Sequence, residues 1–174
     1  MGQAVELDDF NAFVRARTPA LLRTGYLLTG DQHLAEDLVQ TALAKTSLAW
    51  RRLQRNDNAE AYVRRVMYHQ QVSWWRRRRI AEKLSDAVPE TASEPDSEDR
   101  TATRLAVHGA LMRLTPSQRA VLVLRYFDDQ PDSTVADLLG ITVGTVKSQT
   151  HKALAKLRAV APELAEFHPR EVQS

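Results

Sequence analysis

The chain has 174 residues, of which 43% are hydrophobic and 6% aromatic, and its formal net charge is +2. This length suits one ordinary domain or two small ones, and the absence of cysteine excludes disulfides and cysteine-bound zinc. The chain has no apolar run near the roughly 20 residues that a membrane-spanning helix needs. Because glycine, proline and β-branched runs are scarce, we expect an all-α protein. Without a secretion signal, we expect it to be soluble and cytoplasmic.

Helical periodicity predicts three helices in residues 1–80. The first covers about residues 7–28, and Pro19 within it should kink the helix or begin a second segment. The turn that follows contains Asp31, whose side chain can act as the N-cap of the next helix. The buried candidates of the first helix are Phe10, Phe13, Val14, Leu21, Leu22 and Leu28.

The second helix covers about residues 32–50, and a polar loop, residues 51–58, separates it from a third helix at about residues 59–79. The core candidates are Leu34, Leu38, Val39, Ala42 and Leu43 in the second helix, and Tyr62, Val63, Val66 and Met67 in the third. The opposite face of the second helix carries Glu36, Asp37, Gln40 and Thr41.

Charge is distributed unevenly along the chain. Residues 64–79 contain six arginines and no acid, whereas residues 85–99 contain six acids and no base. The acidic stretch lies within residues 81–103, which are too poor in large apolar side chains to fold alone and therefore predict a linker. The arginines predict a basic surface that could hold phosphates.

Trp74 and Trp75 adjoin four consecutive arginines near the end of the third helix. Arginine binds phosphates and aromatic rings stack on unpaired bases, so this combination favours contact with opened DNA. The alternative is a helix end whose arginines are favoured by the helix dipole, with at least one tryptophan in the core. We expect one tryptophan to be buried and the other to be accessible.

Residues 104–160 predict a second helical unit, which begins with a helix at about residues 104–113. Thr115 then opens a sequence with the form of a capping box, with proline at the first helical position and glutamine at the third. After the helix that it starts come a short helix, a turn at Gly140 and a final helix. This order is the layout of a helix-turn-helix.

The final helix has a polar and basic face with no acid between residues 143 and 161. Such a face suits a DNA major groove, whereas an ordinary solvated helix, the alternative, usually mixes charges. Thr142 can cap this helix, and Gly144 allows its N-terminus to approach a phosphate closely. The predicted core stripe comprises Val143, Val146, Thr150, Ala153, Leu154 and Leu157.

Four stretches occur in an order that is highly specific: "HLAEDLVQTAL", "AYVRRVMYHQQVSWWRRRR", "LTPSQRAVLVLRYF" and "VADLLGITVGTVKSQTHKALAKLR". With them the chain resembles a bacterial sigma factor of the sigma-70 superfamily, in its extracytoplasmic-function group. The resemblance covers nearly the whole chain. It implies sigma domain 2 at residues 1–80, an acidic linker at 81–103, sigma domain 4 at 104–162 and a C-terminal tail at 163–174.

The resemblance also implies a mechanism and partners. The first domain would grip the β′ clamp helices of core RNA polymerase and melt the −10 element of the promoter. The second domain would read the −35 element as duplex and contact the β flap. The linker would thread near the active-site cleft, where its acidity fits a channel built for nucleic acid. Relatives are often held by an anti-sigma factor, so we expect control from outside the chain, by such a partner or through transcription of its own gene.

Three sets of residues follow from the resemblance. The polymerase-binding set is Asp37, Gln40 and Thr41. The −10 set comprises the loop residues Arg55, Asn56, Asp57 and Asn58, where relatives capture a flipped base, and the strand-lining residues Arg64, Arg65, His69, Ser73, Trp74, Arg76 and Arg77. The −35 set is Thr145, Lys147, Ser148, Gln149, His151 and Lys152.

Three positions depart from the pattern of the family. His69 stands where many relatives have asparagine, which leaves the −10 base preference open. Gln149 stands where arginine is common, and losing one phosphate contact should reduce the salt-dependence slope by about 0.9. Pro131 makes the start of the short helix uncertain by a residue or two.

Two other classes of protein remain as alternatives. An autonomous helix-turn-helix repressor would need a dimer surface or a ligand pocket. A DNA-modifying enzyme would need paired carboxylates or histidines at metal-ligand spacing, but the five histidines are scattered and no serine lies in a nucleophile motif. We therefore expect no enzymatic activity, no cofactor and no metal.

Overall fold

The computed structural model describes residues 2–55, 59–84 and 102–162. No strand occurs within these ranges, in agreement with the all-α expectation. The elements are α1 (Gly2–Thr29), α2 (Gln32–Arg55), α3 (Ala59–Leu84), α4 (Ala102–Met112), α5 (Pro116–Leu122), a π-helical segment (Val123–Phe127), α6 (Asp132–Leu139) and α7 (Val143–Val160).

The chain divides into two compact units, Met1–Gln70 and Gln71–Ser174, so the division falls within α3. Both neighbouring helices extend into the predicted linker, because α3 continues to Leu84 and α4 begins at Ala102. Most of the linker, like residues 163–174, lies outside the described residues. The predicted domain limits therefore stay a prediction.

The first unit is built on an antiparallel pair of helices, α1 and α2, that approach closely. A Cβ added to Gly25 would lie 3.3 Å from the Cβ of Ala35, so the glycine allows this approach. Gly30 turns the chain with a φ of 76°, and the Asp31 carboxylate accepts a hydrogen bond from the Leu34 N–H at 2.9 Å. The predicted N-cap of α2 is thus confirmed.

Two predictions about these helices were wrong in part. Of the two alternatives at Pro19, a kink or a second segment, the second does not occur, because α1 runs without interruption through Pro19. Pro19 is exposed and the helix buries Leu21 and Leu28 beyond it, which favours continuing the helix despite the missing hydrogen bond.

The predicted loop at residues 51–58 is also too long, since α2 reaches Arg55. The cause is burial: Trp50 packs edge-on against Phe10 with ring centroids 5.1 Å apart, and Leu53 is 5% exposed. Asn56, Asp57 and Asn58 lie outside the described residues.

The core of the first unit is completed by α3, through Val63, Met67 and Tyr68, all fully buried. Several predicted core residues are only half-buried because they lie at the edge of the helix interfaces. These are Phe10, Phe13, Val14, Leu22, Leu34, Leu43, Tyr62 and Val66. Tyr68 was not predicted to be buried, although it follows Met67 directly.

In the second unit, α5 begins with the predicted capping box. The Thr115 hydroxyl accepts from the Gln118 N–H and the Gln118 amide oxygen accepts from the Thr115 N–H, both at 3.2 Å. The predicted helix does not end as a regular α-helix: its last turns widen into the π-helical segment, with the Asp128 N–H bonded to the Val123 carbonyl at 3.0 Å. Asp129 follows with a φ of 50°.

A buried guanidinium joins α4 to α5. Arg119 is 1% exposed, and it donates from Nε to the Leu111 carbonyl at 2.9 Å and from Nη2 to the Leu114 carbonyl at 3.1 Å. These carbonyls belong to the end of α4 and the turn after it, where carbonyls run short of helical donors. The Leu111 carbonyl also accepts from the Leu114 N–H at 3.1 Å, so Arg119 adds a second donor there. Burial lowers the pKa of Arg119 to about 10, so the side chain is still charged at neutral pH.

Replacing this cation is expected to destabilise the second unit. Arg119→Met should lower the free energy of unfolding by about 2–4 kcal/mol, because buried carbonyls lose their donors. Urea denaturation of the full chain, followed by far-UV circular dichroism, measures the change. Arg113→Met is the matched control, since Arg113 is exposed in the turn between α4 and α5, and it should change stability by less than about 0.5 kcal/mol. Equal effects of the two substitutions would contradict the role given to Arg119.

Candidate nucleic-acid interface

The turn between α6 and α7 has the geometry predicted for a helix-turn-helix. Gly140 ends α6 in the left-handed conformation, with a φ of 66° and a ψ of 36°. The Thr142 hydroxyl then accepts from the Thr145 N–H at 3.1 Å and lies 2.9 Å from the Thr145 hydroxyl. Both the turn at Gly140 and the N-cap at Thr142 are confirmed, so the direction of α7 is fixed by local chemistry.

The start of α6 is fixed by an ion pair. Arg125, in the π-helical segment, contacts Asp132 at 2.7 Å, and both side chains are about a quarter exposed. α6 begins at Asp132, and Pro131 before it provides no side-chain cap. The widened end of the preceding helix and this pair together hold the first helix of the motif in place, while Val135 and Leu138 anchor its buried face.

α7 packs into the second unit through Val146, Thr150 and Ala153. Leu154 and Leu157 are half-buried, and Val143 is 38% exposed, so its predicted place in the core was wrong. Val143 is the first residue of the helix and lies beyond the part that contacts the rest of the unit. The buried Thr150 hydroxyl donates to the Val146 carbonyl at 2.8 Å, which allows a polar residue in this stripe.

The opposite side of α7 is a polar surface, hereafter the α7 face. Its exposed members are Lys147, Ser148, His151 and Lys152, and its half-buried members are Thr145 and Gln149. The exposed four are related by spacings of three and four residues, which places them over about two turns of one helix side. Within the described ranges no acid pairs with Lys147 or Lys152. The α7 face therefore offers cations and hydrogen-bonding groups to an outside partner.

The −10 residues predicted on α3 fall into two groups. Arg65, His69, Arg76 and Arg77 are exposed, while Ser73 and Trp74 are half-buried, as is Trp75. The expectation that one tryptophan is buried and the other accessible was wrong, since both are partly exposed. Arg77 donates to the Ser73 hydroxyl at 3.1 Å.

Arg64 has a different environment from these exposed cations. Its side chain is 14% exposed and contacts Glu60 at 3.1 Å, and the same carboxylate contacts Arg17 of α1 at 3.2 Å. Through Glu60 the two arginines connect α1 to α3 within the fold. This arrangement fits a structural role of Arg64 better than a contact with a DNA phosphate.

A depression of about 420 Å³ opens between α2 and the start of α3. We call it the α2–α3 depression. Its lining residues are Lys45, Leu48, Ala49, Arg51, Arg52 and Tyr62. The lining contains three cations and an aromatic ring but no acid.

Sequence reasoning missed this site because it placed the two arginines in a loop and the tyrosine in the core. The spacing of Lys45 and Arg52, seven residues apart along one helix, was the available signal.

The predicted polymerase-binding residues lie on the outer side of α2. Asp37 and Gln40 are exposed and Thr41 is half-buried. Leu48 lies 11 residues after Asp37, about three turns along the same side of the helix, and is 90% exposed. Leu48 therefore adds one exposed apolar side chain to the side of α2 that carries Asp37. Arg55 is helical, and the remaining loop residues lie outside the described residues.

None of the described helices has the length and apolar character needed to cross a membrane. No group of three or more histidine, aspartate or glutamate side chains in this part of the chain is placed to hold a metal ion.

Comparison with known proteins gives the chain a family. The model of sigma-70 region 2 matches residues 13–80, and that of sigma-70 region 4 matches residues 110–159. The RNA polymerase sigma-E factor of Streptomyces coelicolor is 40% identical over 158 residues, covering 91% of this chain and 87% of that protein. The ECF RNA polymerase sigma factor SigL of Mycobacterium tuberculosis is 30% identical over 169 residues, covering 92% and 93%.

A solved structure shares the fold. The sigma factor RpoE from Bartonella quintana, crystallised with the anti-sigma factor NepR, superposes with a TM-score of 0.73 at 24% identity. The match covers 87% of this chain and 95% of that one.

The cap of α7 can be tested directly. Thr142→Ala should cost about 1 kcal/mol of stability, because the Thr145 N–H loses its acceptor. Amide exchange of the full chain should show faster exchange at Thr145 and its neighbours. Thr142→Ser keeps the hydroxyl and should behave like the wild type. Unchanged exchange in the alanine variant would show that the cap does not hold the start of α7.

Proposed function

Since the chain belongs to the sigma-70 family, in its extracytoplasmic-function group, it directs RNA polymerase to promoters, and we propose how its residues divide that task. The observation that carries the proposal is the acid-free α7 face, which lies within the region 4 match. The alternative of an autonomous repressor is disfavoured, because the region 2 match accounts for the first half of the chain as well. We assign the protein no catalytic chemistry of its own and place it in the cytoplasm with the polymerase.

The α7 face is proposed to read the −35 element as duplex DNA. Lys147, Ser148, His151 and Lys152 would point into the major groove, which admits an α-helix. Thr145 and Gln149 are half-buried, which suits contacts at the edge of the groove. The capped N-terminus of α7 has free N–H groups that favour a phosphate. The other surface of this half of the chain would contact the β flap.

The α2–α3 depression is proposed to receive an unpaired base of the −10 element. Its volume of about 420 Å³ lies within the usual range of ligand sites, about 300–1,000 Å³. Tyr62 offers a ring for stacking, and Lys45 and Arg52 offer cations for the adjoining phosphates. Arg55 is the last residue of α2 and residues 56–58 follow it directly in the sequence, which supports their predicted share in capturing the base.

The melted strand would continue along the remaining −10 residues of α3. Arg65, His69, Arg76 and Arg77 are exposed, and Ser73 and Trp74 are half-buried. Arg64 is given a structural role instead, because its contact with Glu60 already uses its charge.

The outer side of α2 is proposed to bind the β′ clamp helices. Asp37, Gln40 and Thr41 supply polar contacts. Leu48, which also lies at the edge of the α2–α3 depression, supplies an apolar side chain that loses its contact with water on binding. An anti-sigma factor that covers this side would keep the protein from the polymerase, and we propose that control of this kind, or control of its own gene, regulates it.

Removal of one α7 cation should weaken −35 binding. Lys152→Ala should lower the affinity of the holoenzyme for promoter duplex several-fold and reduce the salt-dependence slope by about 0.9, because one phosphate contact is lost. Titrations at several salt concentrations measure both quantities. Lys156→Ala is the matched control: Lys156 is exposed on the same helix one turn farther from the capped end. An equal loss in the control would mean that only net charge matters.

Loss of the exposed leucine should weaken polymerase binding. Leu48→Ser should reduce the affinity for core polymerase about tenfold or more, because burying a leucine side chain contributes about 1.5–3 kcal/mol. Its stability should not change, as the side chain is 90% exposed. Anisotropy of the labelled full chain, titrated with core polymerase, gives the affinity. Leu7→Ser is the control, since Leu7 is 60% exposed on α1. Wild-type affinity in the Leu48 variant would remove this residue from the interface.

A further inference from the structure

One cation of the α2–α3 depression is already held by an acid from another helix. Arg51 lines the depression, and its Nε lies 2.8 Å from a carboxylate oxygen of Glu6 on α1. The two residues are 45 positions apart in the sequence. Their side chains are 67% and 36% exposed respectively, so water and salt reach the pair from outside.

This exposure decides what the pair can do. Exposed ion pairs contribute little to stability, because solvent screens them and ordering two long side chains costs entropy. The α1–α2 packing is held by buried apolar residues such as Leu28, Ala35 and Leu38. The pair is therefore not needed to hold the two helices together, and its main consequence is the neutralisation of one cation at the rim of the depression.

We propose that Glu6 acts as a competing anion that occupies Arg51 until a phosphate of single-stranded DNA replaces it. A carboxylate and a phosphate bind a guanidinium through the same kind of charge-assisted hydrogen bonds, so one can substitute for the other. Because DNA must displace Glu6, the ion pair lowers the affinity of the depression for DNA. The depression itself stays open. Weakly held DNA would leave Glu6 in place, and only a strand that also fills the depression would displace it.

The inference rests on the proposed use of the depression for the −10 element. Single-stranded DNA is favoured over an acidic protein surface because Arg51 shares the depression with Tyr62, whose ring can stack on a base. Lys45 and Arg52 supply further cations there, whereas no acid lines it. If the ion pair instead lies in the contact with the polymerase, replacing Glu6 will change the affinity for core polymerase and leave the affinity for DNA unchanged.

The test uses the full chain assembled with core polymerase and a labelled single-stranded 12-nucleotide DNA of random sequence. Glu6→Gln should raise the affinity about two- to fivefold at low salt, because it removes the carboxylate that competes with phosphate for Arg51. In an Arg51→Gln background the same substitution should have no effect. Asp8→Asn removes an exposed acid from the same helix and should change the affinity less than Glu6→Gln.

The other outcomes distinguish a failure of the Glu6–phosphate exchange from a failure of the −10 assignment of the depression. An equal gain from Asp8→Asn, or a gain that persists without Arg51, would overturn the exchange and show a general effect of charge. A change in polymerase affinity alone would also overturn it. Lys45→Ala and Arg52→Ala, measured in parallel, test the depression itself. If both bind the oligonucleotide like the wild type, the −10 assignment fails, whatever Glu6→Gln does.

Discussion

The buried guanidinium of Arg119 is the interaction on which the DNA-reading half of the chain depends. It joins the end of α4 to α5 through backbone carbonyls, and α5 is one of the helices against which α7 packs. Because the buried guanidinium needs acceptors for its donors, its bonds to the Leu111 and Leu114 carbonyls favour this arrangement of the two helices. The capping box at Thr115 and the cap at Thr142 then fix where α5 and α7 begin. The exposed cations of α7 are thus carried by a scaffold that needs none of them for its own stability.

The charges of the described residues divide into two classes. Some are paired within the fold, such as Arg64 with Glu60 and Arg125 with Asp132, and these connect one element to the next. Others, such as Lys147 and Lys152 of the α7 face, are in no ion pair within the described residues and are proposed to contact phosphates. Arg51 belongs to neither class, because it is paired but largely exposed. The net charge of +2 therefore averages over separate basic and acidic stretches, and we propose that two of the basic surfaces bind nucleic acid.

Much of this arrangement could be predicted from the sequence, since it depends on local chemistry. The caps at Asp31, Thr115 and Thr142 each need only a side chain and a nearby N–H, and all three were identified in advance. The errors came from tertiary packing. Residues 51–58 are polar and predict a loop, but burial of Trp50 and Leu53 extends α2 to Arg55. Arg119 reads as an exposed helix residue, because nothing in the sequence shows which carbonyls need a donor. The α2–α3 depression was missed for the same reason, as its residues come from two helices.

Run-off transcription tests the central claim most directly. The full chain would be combined with bacterial core polymerase and a library of genomic fragments, and the 5′ ends of the transcripts would be sequenced. The account predicts discrete starts that require the protein and share two short upstream elements at a constant spacing, one for each nucleic-acid surface. The bases at those elements would also show what His69 and Gln149 select. Transcripts without such elements, or a chain that does not bind the polymerase, would contradict the account.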